Sequence, residues 1–323
     1  MMSFLQKPVS MFLQVLFFLL LMCFPSFFAF PPNSSATSFG AAKYVATEGN
    51  KEAEALLKWK ASLDDNHSQA VLSSWVGSSP CKWLGITCDN SGSVANFSLP
   101  HFGLRGTLQS FNFSSFPNIL TLNLWNNSLY GTIPSHISNL TKITKLDLSD
   151  NHFIGNIPLE IGLLTSLNLL DLSENNLTGL IPSSIGTLKH LSILYLWGNK
   201  LSSPIPSSIG NMTKLIELSL SKNNLTGLIP ASIGTLKHLF VLFLWRNKLS
   251  GLIPPEIGSL QSLSNLDLSS NDLTGRIPSS IGNLRNLSIL SLWDNKLSGP
   301  IPSSIGNMTK LIDLSLNKNN LIG

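Results

Sequence analysis

Charged side chains are scarce in this 323-residue sequence, where Asp, Glu, Lys and Arg make up 12% of the residues. An average soluble domain has ~25%. The formal net charge of +4, spread over this length, argues against the clustered basic face that nucleic-acid binding requires. Low charge does not indicate disorder here, because 43% of the residues are hydrophobic and can bury a large core. The composition therefore predicts a folded, leucine-rich chain that binds no nucleic acid.

Long apolar runs are confined to the N-terminus. Lys7 precedes an apolar run over residues 11–24, which only Gln14 interrupts and Pro25 closes. This pattern is typical of a secretory signal peptide, which we assign to residues 1–30, followed by a flexible segment over 31–47. An uncleaved signal anchor is the alternative, because residues 11–30 nearly suffice to span a bilayer. No later segment is apolar over ~18 residues, so we expect no membrane span downstream in this chain.

Cysteine is rare as well, and three residues are too few for a small scaffold held by many disulfides. Cys23 leaves with the signal peptide, so Cys81 and Cys88 remain. A zinc site needs two further ligands at suitable spacing, and the sequence has none nearby. Because a secreted protein meets an oxidising compartment, we predict a disulfide between Cys81 and Cys88.

Sequence signatures of catalysis are missing. The chain has no G-x-G-x-x-G, no G-x-x-x-x-G-K-[ST], no G-x-S-x-G, no H-E-x-x-H and no protein-kinase signature. His190 and His238 stand in identical Thr-Leu-Lys-His-Leu segments 48 residues apart, which indicates duplicated surface residues and not a catalytic base. We expect no enzyme activity in this chain, no cofactor and no metal.

A repeat of 24 residues fills most of the sequence. Asn recurs at this interval at Asn127, Asn151, Asn175, Asn199, Asn223, Asn247, Asn271, Asn295 and Asn319. Around each Asn stands the frame L-x-L-x-x-N-x-L-x-G-x-I-P, and a degenerate first copy has Phe102 at the Asn position. This gives ten repeats over residues 94–323, the last of them incomplete. Repeats of this length stack into a solenoid that shares one core.

Each part of the frame has a physical role. L-x-L predicts a short strand with its leucines on one face. The Asn amide both donates and accepts, so it can satisfy backbone groups where the chain turns after the strand. Gly suits a positive φ, and Ile-Pro begins a tight turn or a 3₁₀ segment. The segment Ser-Ser-Ile-Gly-x-Leu then adds apolar side chains and returns the chain to the next strand.

The full frame, L-x-x-L-x-L-x-x-N-x-L-x-G-x-I-P-x-x-I-G-x-L, resembles the plant-specific leucine-rich repeat. Upstream, Leu56, Trp59 and Leu63 stand at helical spacing, and P-C-K-W-L-G-I-T-C follows at residues 80–88. Residues 48–93 are similar in this respect to the N-terminal cap of plant leucine-rich-repeat receptor-like kinases and receptor-like proteins. The resemblance covers residues 48–323. It implies an α/β solenoid, a right-handed horseshoe with parallel strands on its concave face. Ser203, which replaces the Gly of its repeat, and Phe102 are departures that we expect the fold to accommodate.

Strand residues that point away from the leucines lie six, four, two and one positions before each Asn. In three repeats spaced 48 residues apart they include Ile193, Tyr195 and Trp197; Val241, Phe243 and Trp245; and Ile289, Ser291 and Trp293. The repeats between them are polar. At ~4.8 Å between strands, successive tryptophans are ~10 Å apart, which about three residues of an extended peptide span. We predict ligand contacts at Tyr195, Trp197, Phe243, Trp245, Trp293, Glu217 and Asp267.

Inheritance and packing offer a second account of these aromatic residues. Residues 205–216 and 301–312 are identical, so recent duplication has copied parts of this chain. A copied aromatic residue can serve only to pack on its neighbours. Exposed aromatic patches, however, usually mark interaction sites.

Sequons for N-glycosylation agree with the secretory route. Eleven occur, at Asn33, Asn66, Asn96, Asn112, Asn126, Asn139, Asn176, Asn211, Asn224, Asn286 and Asn307. We predict the ten from Asn66 onward as glycosylation sites. Only Asn96 and Asn126 fall in the concave columns, so we expect the concave strip over residues 145–318 to stay free of glycans.

The resemblance implies a receptor ectodomain that recognises an extracellular peptide or protein in signalling or defence, with a leucine-rich-repeat co-receptor. In that family a membrane span and a kinase follow the repeats, so membrane attachment would need a span beyond this chain. We expect the secretory pathway, then the plasma membrane as part of a longer receptor, or otherwise the extracellular space and cell wall. A secreted inhibitor of cell-wall-degrading enzymes is the alternative, although its concave face would need more polar complementarity. A truncated decoy without a ligand is the third.

The last repeat stops at Gly323, before its Ile-Pro. Solenoids normally end in a polar cap. We therefore expect this chain to be the front part of a longer receptor, and by itself to expose apolar surface at its C-terminal end and to aggregate.

Overall fold

Two helices open the part of the chain that the structure describes, which is residues 42–322 of a computed structural model. Helix α1 is Ala42–Ala61 and helix α2 is Asn66–Val71. The signal peptide predicted over residues 1–30 lies outside the described residues. Helix α1 begins inside the segment 31–47, for which the sequence predicts flexibility. Ala, Lys and Glu make up four of the seven residues 42–48, and these strong helix formers extend α1 towards the N-terminus.

An aromatic core fills the cap in front of the repeats. Trp59 and Trp75 are almost completely buried, with ring centroids 6.2 Å apart. Trp59 also meets Phe97 of the first repeat edge-on at 5.6 Å, a favoured aromatic geometry. Cys81 and Cys88 form a disulfide, which confirms the predicted pairing. The cap is therefore joined to the first repeat by packing and closed by one covalent link.

Eleven strands form the long sheet on the concave face of the horseshoe. They are β1 (Ile86–Cys88), β2 (Val94–Ser98), β4 (Thr121–Asn123), β6 (Lys145–Asp147), β8 (Leu169–Asp171), β10 (Ile193–Tyr195), β12 (Glu217–Ser219), β14 (Val241–Phe243), β16 (Asn265–Asp267), β18 (Ile289–Ser291) and β20 (Asp313–Ser315). Strand β1 pairs antiparallel with β2, and every later pair is parallel. Leu194 pairs with Leu170 on one side and Leu218 on the other. The 24-residue period thus keeps equivalent residues in register along the sheet.

Short strands after each Asn form two further sheets. The first contains β3 (Arg105–Thr107), β5 (Ser128–Thr132), β7 (His152–Asn156) and β9 (Asn176–Thr178). The second contains β11 (Ser202–Pro204), β13 (Asn224–Gly227), β15 (Lys248–Gly251), β17 (Asp272–Gly275), β19 (Lys296–Pro300) and β21 (Asn320–Ile322). The break between these sheets falls at β11, which contains Ser203 in place of the usual glycine.

Turns of 3₁₀ helix, such as Ser183–Thr187 and Ser207–Asn211, carry the chain along the convex side. The Ser208 hydroxyl donates to the Ser183 carbonyl at 2.7 Å, and the equivalent serines of other repeats do the same. A Cβ on Gly186 would overlap the Ser208 carbonyl oxygen, so the close stacking of these turns requires glycine there. The convex side is therefore tied together by hydrogen bonds as well as by the core.

One continuous apolar core runs between the sheets. Leu194 and Leu196 of a middle repeat have no accessible surface, and the repeats from Leu122 to Leu292 all supply the same buried pair. The last described repeat has a neighbour on one side only, and there Leu314 is 41% exposed, whereas Leu290 of the preceding repeat is fully buried. Stacking, and not any single repeat, buries the leucines.

The recurring Asn connects each repeat to the one before it. Asn199 is buried; its Oδ1 accepts from the Leu177 N–H at 3.0 Å, and its Nδ2 donates to the Leu172 carbonyl at 2.9 Å. The same Nδ2 also donates to the Leu196 and Trp197 carbonyls of its own repeat. Equivalent bonds recur at the other Asn positions. One amide therefore satisfies backbone groups of two repeats, as the sequence predicts.

Ser203 holds a backbone conformation that glycine holds elsewhere. Its φ is 105°, and the glycines at the same position of the neighbouring repeats, Gly179 and Gly227, have φ of 74° and 72°. An L-residue with a Cβ is strained in this region because the Cβ crowds the backbone. The departure that the sequence shows at Ser203 is thus accommodated at a local cost.

Replacing Asn199 by Ala should lower the free energy of unfolding by about 2 kcal/mol. The variant leaves the buried Leu177 N–H without a partner, which costs ~1–3 kcal/mol, whereas the Leu172 carbonyl keeps the hydrogen bond from Asn175 Nδ2 at 3.3 Å. Urea unfolding followed by circular dichroism measures the change. Lys200→Ala, at the exposed neighbouring position, is the control and should change the stability by less than ~0.5 kcal/mol. Equal effects of the two variants would contradict the role given to the Asn.

Replacing Ser203 by Gly should raise the free energy of unfolding by about 1 kcal/mol, because glycine adopts the positive φ without strain. Ser202→Gly is the matched control: Ser202 has no positive φ, so glycine there should destabilise by ~0.5–1 kcal/mol. Opposite signs for these two adjacent substitutions in the same urea assay are the expected result. Destabilisation by both would show that the backbone at Ser203 is not strained.

Candidate ligand-binding face

The outward side chains of the long sheet form a continuous strip. We define the concave strip as the residues six, four, two and one positions before each recurring Asn, over residues 145–318. The predicted contacts Tyr195, Trp197, Phe243, Trp245 and Trp293 all lie on it and are half-buried. Trp125, at the same position of an earlier repeat, is 40% exposed. The sequence pattern therefore correctly placed these aromatic residues on one surface.

From Tyr195 to Trp293, aromatic and small polar repeats alternate along the concave strip, which gives this part a corrugated surface. Ser219 is the register partner of Tyr195 on one side and of Phe243 on the other. Ser219 and Ser221 are 6% and 1% exposed, and larger aromatic side chains lie in the repeats on both sides of them. We call this depression the Ser221 slot. Its floor is Ser219 and Ser221, and its walls are Tyr195, Trp197, Phe243 and Trp245.

Lys222 occupies the end of the Ser221 slot where the strand ends. Its Nζ lies 5.3 Å from the ring centroid of Trp197 and 5.5 Å from that of Trp245. It also lies 3.6 Å from Glu174 Oε1. Both distances to the rings are within the range of a cation–π interaction. Lys318 has one such contact only, with Trp293 at 5.4 Å.

A hydrogen bond closes the opposite end of the Ser221 slot. The Tyr195 hydroxyl donates to the carboxylate of Glu217. Burial raises the pKa of Tyr195 well above its ordinary value, and the negative charge of Glu217 and this hydrogen bond raise it further. Tyr195 therefore remains a neutral donor at physiological pH. The Ser221 slot thus has a carboxylate at one end and an ammonium group at the other.

Two carboxylates lie side by side on the neighbouring strands. Asp147 and Asp171 are register partners, and Tyr195 follows Asp171 on the next strand. Burial and then the negative charge of Asp147 raise the pKa of Asp171 to about 7. Hydrogen bonds from the Ser173 N–H at 2.9 Å and the Ser173 hydroxyl at 2.5 Å oppose this rise. The concave strip therefore contains a group that changes its charge near neutral pH.

Asp267, which the sequence predicts as a ligand contact, is 4% exposed. Its Oδ1 accepts from the Ser269 N–H at 2.9 Å and from the Ser269 hydroxyl at 2.5 Å. Burial raises the pKa of Asp267, against the effect of these bonds. Asp267 mainly satisfies its own strand and offers little surface to a ligand, whereas Glu217 is only half-buried.

The sequence pattern missed the backbone that carries Lys222. The residue before each recurring Asn has a positive φ in every repeat, for example 50° at Lys222 and 47° at Glu174. Asp, Asn and Gly tolerate this conformation, and they fill four of the positions: Asn126, Asp150, Gly198 and Asp294. The frequency of Asp, Asn and Gly at this position is the sequence pattern that could have indicated the turn. The turn directs these side chains along the edge of the concave strip.

The predicted glycosylation sites lie mostly away from the concave strip. Exposed positions on other surfaces are Asn66, Asn112, Asn139, Asn211, Asn224, Asn286 and Asn307. Asn176 begins strand β9 and is half-buried. Asn96 and Asn126 lie in the concave columns of the first two repeats and are half-buried, with Asn126 Nδ2 2.7 Å from His101 Nδ1.

Within residues 51–322, no three His, Cys, Asp or Glu side chains are grouped as ligands for a metal ion. A helix long and apolar enough to cross a membrane is likewise missing from the described part of the chain.

Family models match both parts of this architecture. The model of the leucine-rich repeat region matches residues 98–248 and 222–320, and the model of the leucine-rich repeat N-terminal domain matches residues 49–89. Stacked parallel strands, the recurring Asn and the disulfide-containing cap define a capped leucine-rich-repeat solenoid. The chain belongs to the leucine-rich-repeat family.

Similar proteins are plant receptor kinases. MDIS1-interacting receptor like kinase 2 of Arabidopsis thaliana is 42% identical over 87 residues, 26% of this chain and 8% of that protein. The ectodomain of the Arabidopsis thaliana receptor kinase GASSHO1/SCHENGEN3, solved with CASPARIAN STRIP INTEGRITY FACTOR 2, is 33% identical with a TM-score of 0.74. That match covers 84% of this chain and 36% of the other. The Arabidopsis receptor kinase HAESA, solved with the peptide hormone IDA and the co-receptor SERK1, is 32% identical with a TM-score of 0.64, over 84% of this chain and 54% of the other.

The chain thus spans a small fraction of the curated relative and about a third to a half of the solved ectodomains. Its described region is similar to the repeat ectodomains of plant receptor kinases and not to their kinase domains. The expected resemblance is confirmed.

Replacing Asp171 by Asn should stabilise the protein at pH 8 and leave its stability nearly unchanged at pH 4. The folded-state pKa of about 7 lies above the ordinary value of 3.8, so the folded chain binds this proton more tightly than the unfolded chain. The stabilisation that this tighter proton binding gives the folded state is complete below about pH 4 and is lost as the pH rises through 7. Asn keeps the acceptor for Ser173 without the charge. Thermal unfolding at both pH values measures the difference.

Asp150→Asn is the control, because Asp150 is exposed in the same repeat as Asp147. Its melting temperature should follow that of the wild type at both pH values. A gain for Asp171→Asn of the same size at pH 4 and pH 8 would contradict the raised pKa.

Proposed function

We propose that this chain is the recognition part of a plant receptor-kinase-type ectodomain and that it binds an extended peptide or protein segment along the concave strip. The alternation of aromatic and serine repeats from Tyr195 to Trp293 carries the proposal. It offers side-chain-sized depressions at ~10 Å intervals, a spacing of about three residues of an extended chain.

Physical properties of the aromatic residues support binding. Trp197, Trp245 and Trp293 are half-buried, each two residues after a strand of the long sheet, so they lose little conformational freedom when a ligand covers them. Tryptophan and tyrosine are the residues that most often supply binding energy at interfaces. We include Glu217 among the contacts, and we give Asp267 no direct role because it is buried.

The setting that we propose is extracellular. The predicted signal peptide, the disulfide and the exposed sequons support passage through the secretory pathway. Glycans on the exposed sequons would leave the concave strip over residues 145–318 open. We propose a leucine-rich-repeat co-receptor as a second partner, because the similar HAESA ectodomain was solved with one. The plasma membrane is the proposed destination when a membrane span belongs to the full protein.

Selection from a displayed library of random peptides tests the proposal without knowledge of the natural ligand. Peptides selected on the wild-type chain should lose affinity by at least ~30-fold for the triple variant Trp197→Ser, Trp245→Ser, Trp293→Ser, because aromatic anchors supply most of the binding energy. Affinity is measured by biolayer interferometry with folded protein, as judged by circular dichroism.

The matched control changes three large exposed side chains that follow the short strands β9, β13 and β15, away from the concave strip. Leu180, Leu228 and Leu252 are 53%, 62% and 61% exposed, and their triple replacement by Ser should leave binding unchanged. If the selected peptides bind the tryptophan variant as well as the wild type, the concave strip is not the recognition surface.

A further inference from the structure

The hydroxyl of Ser221 is buried without a hydrogen-bond partner, and no other buried side-chain nitrogen or oxygen in the described residues is in this state. Ser149, Ser173 and Ser269, at the same position of their repeats, donate to an aspartate two residues earlier. In this repeat Ser219 stands in the place of that aspartate. A buried polar group of this kind normally has a partner, so the Ser221 slot contains an unused hydrogen-bonding site.

The end of the slot near Ser221 already holds a cation. The ammonium group of Lys222 lies between the rings of Trp197 and Trp245, at 5.3 and 5.5 Å from their centroids. Glu174 adds a negative charge, with Oε1 3.6 Å from Nζ. Two aromatic faces and a carboxylate attract cations and repel anions. The surroundings of Lys222 are therefore those of a cation-binding site.

Lysine fills this site incompletely. The distance of 3.6 Å to Glu174 is longer than a hydrogen bond, and the Ser221 hydroxyl receives no donor. Glu174 and the Ser221 hydroxyl are thus two acceptors to which Lys222 makes no hydrogen bond. The Lys222 side chain is 31% exposed, which gives its flexible stem a route into solvent.

A guanidinium group has the properties that the ammonium group lacks. It is planar, stacks on aromatic faces and presents five donors in a fixed arrangement. Placed between Trp197 and Trp245, it has donors for both the Glu174 carboxylate and the Ser221 hydroxyl. Arginine is also less strongly hydrated than lysine, so it loses less on entering a half-buried site.

We propose that the Ser221 slot is a subsite for an arginine side chain of the ligand and that Lys222 is an intramolecular competitor, which the arginine displaces. The inference rests on the proposed function for the peptide nature of the ligand. The arginine subsite adds one preference to the proposal of peptide binding along the concave strip: the ligand should place a positively charged residue above Ser221. An anionic ligand group held by Lys222 and the exposed Arg246 is the opposite outcome, and the experiment separates the two.

The experiment uses three short capped alanine peptides that contain one arginine, one citrulline or one glutamate. Citrulline has the shape of arginine without its charge. Fluorine NMR of protein labelled with fluorotryptophan reports binding at Trp197 and Trp245. The arginine peptide should bind Lys222→Met about fivefold more tightly than the wild type, because the competing cation is gone. The citrulline peptide should bind both proteins at least about fivefold more weakly than the arginine peptide binds the variant.

Two further variants identify the site. In the Lys222→Met background, Trp197→Ser should abolish the gain, and Ser221→Ala should weaken the arginine peptide by about threefold. Lys318→Met is the matched control, since Lys318 contacts a single ring, and it should leave the affinity for the arginine peptide unchanged. Urea midpoints show whether each variant is folded.

Weaker or unchanged binding of the arginine peptide to Lys222→Met would overturn the proposal. Binding of the glutamate peptide to the wild type, lost in Lys222→Met, would assign the slot to anions instead. The library selection reports on the whole concave strip and these peptides on one slot. Failure to select any binder would contradict the proposed function. A preference of the slot for glutamate would contradict only the arginine subsite.

Discussion

One hydrogen-bonding amide per repeat makes the rest of this structure possible. A chain that turns after every three-residue strand leaves backbone N–H and carbonyl groups inside the solenoid, where water cannot reach them. The Asn at each turn bonds to groups of its own repeat and of the preceding one, as Asn199 does with Leu172, Leu177 and Leu196. Leucines can then be buried directly beside polar backbone without an unpaired group. The parallel sheet and the columns on its outer face follow from this arrangement.

The sequence predicted the fold and the placement of the aromatic residues because both depend on period alone. A 24-residue interval fixes which residues are register partners, so Trp197, Trp245 and Trp293 had to share one column. It did not reveal how far each side chain is covered by its neighbours. Asp267 lies in the correct column but is buried, with its Oδ1 bonded to Ser269, and this depends on local packing that the period does not encode. The position of Lys222 between two rings depends on a positive φ, which the sequence indicates only through scattered Asp, Asn and Gly residues.

The low charge of the chain gives significance to the few charges on the concave strip. The described residues contain three ion pairs, and one of them joins Lys222 to Glu174 beside the tryptophans. Asp147, Asp171 and Glu217 lie within the same few strands. Because neighbouring aromatic side chains exclude water, Lys222 and Glu217 interact more strongly with their partners than they would on an open surface. Most charges of the concave strip belong to repeats without aromatic side chains, and Lys222 and Glu217 lie in the repeat between two aromatic ones.

The regular register of the long sheet also determines how such a binding face can change in length. Because equivalent residues pair across every strand, a unit of two repeats can be inserted or lost while all hydrogen bonds between neighbours are restored. Two repeats correspond to 48 residues, and residues 205–216 recur unchanged at 301–312, two such units or 96 residues later. An exchange of this size keeps aromatic and serine repeats alternating, whereas a single repeat would bring two of the same kind together. Recombination between gene copies thus lengthens the corrugated face by whole pairs of repeats, and the alternation of the face is preserved whatever its length.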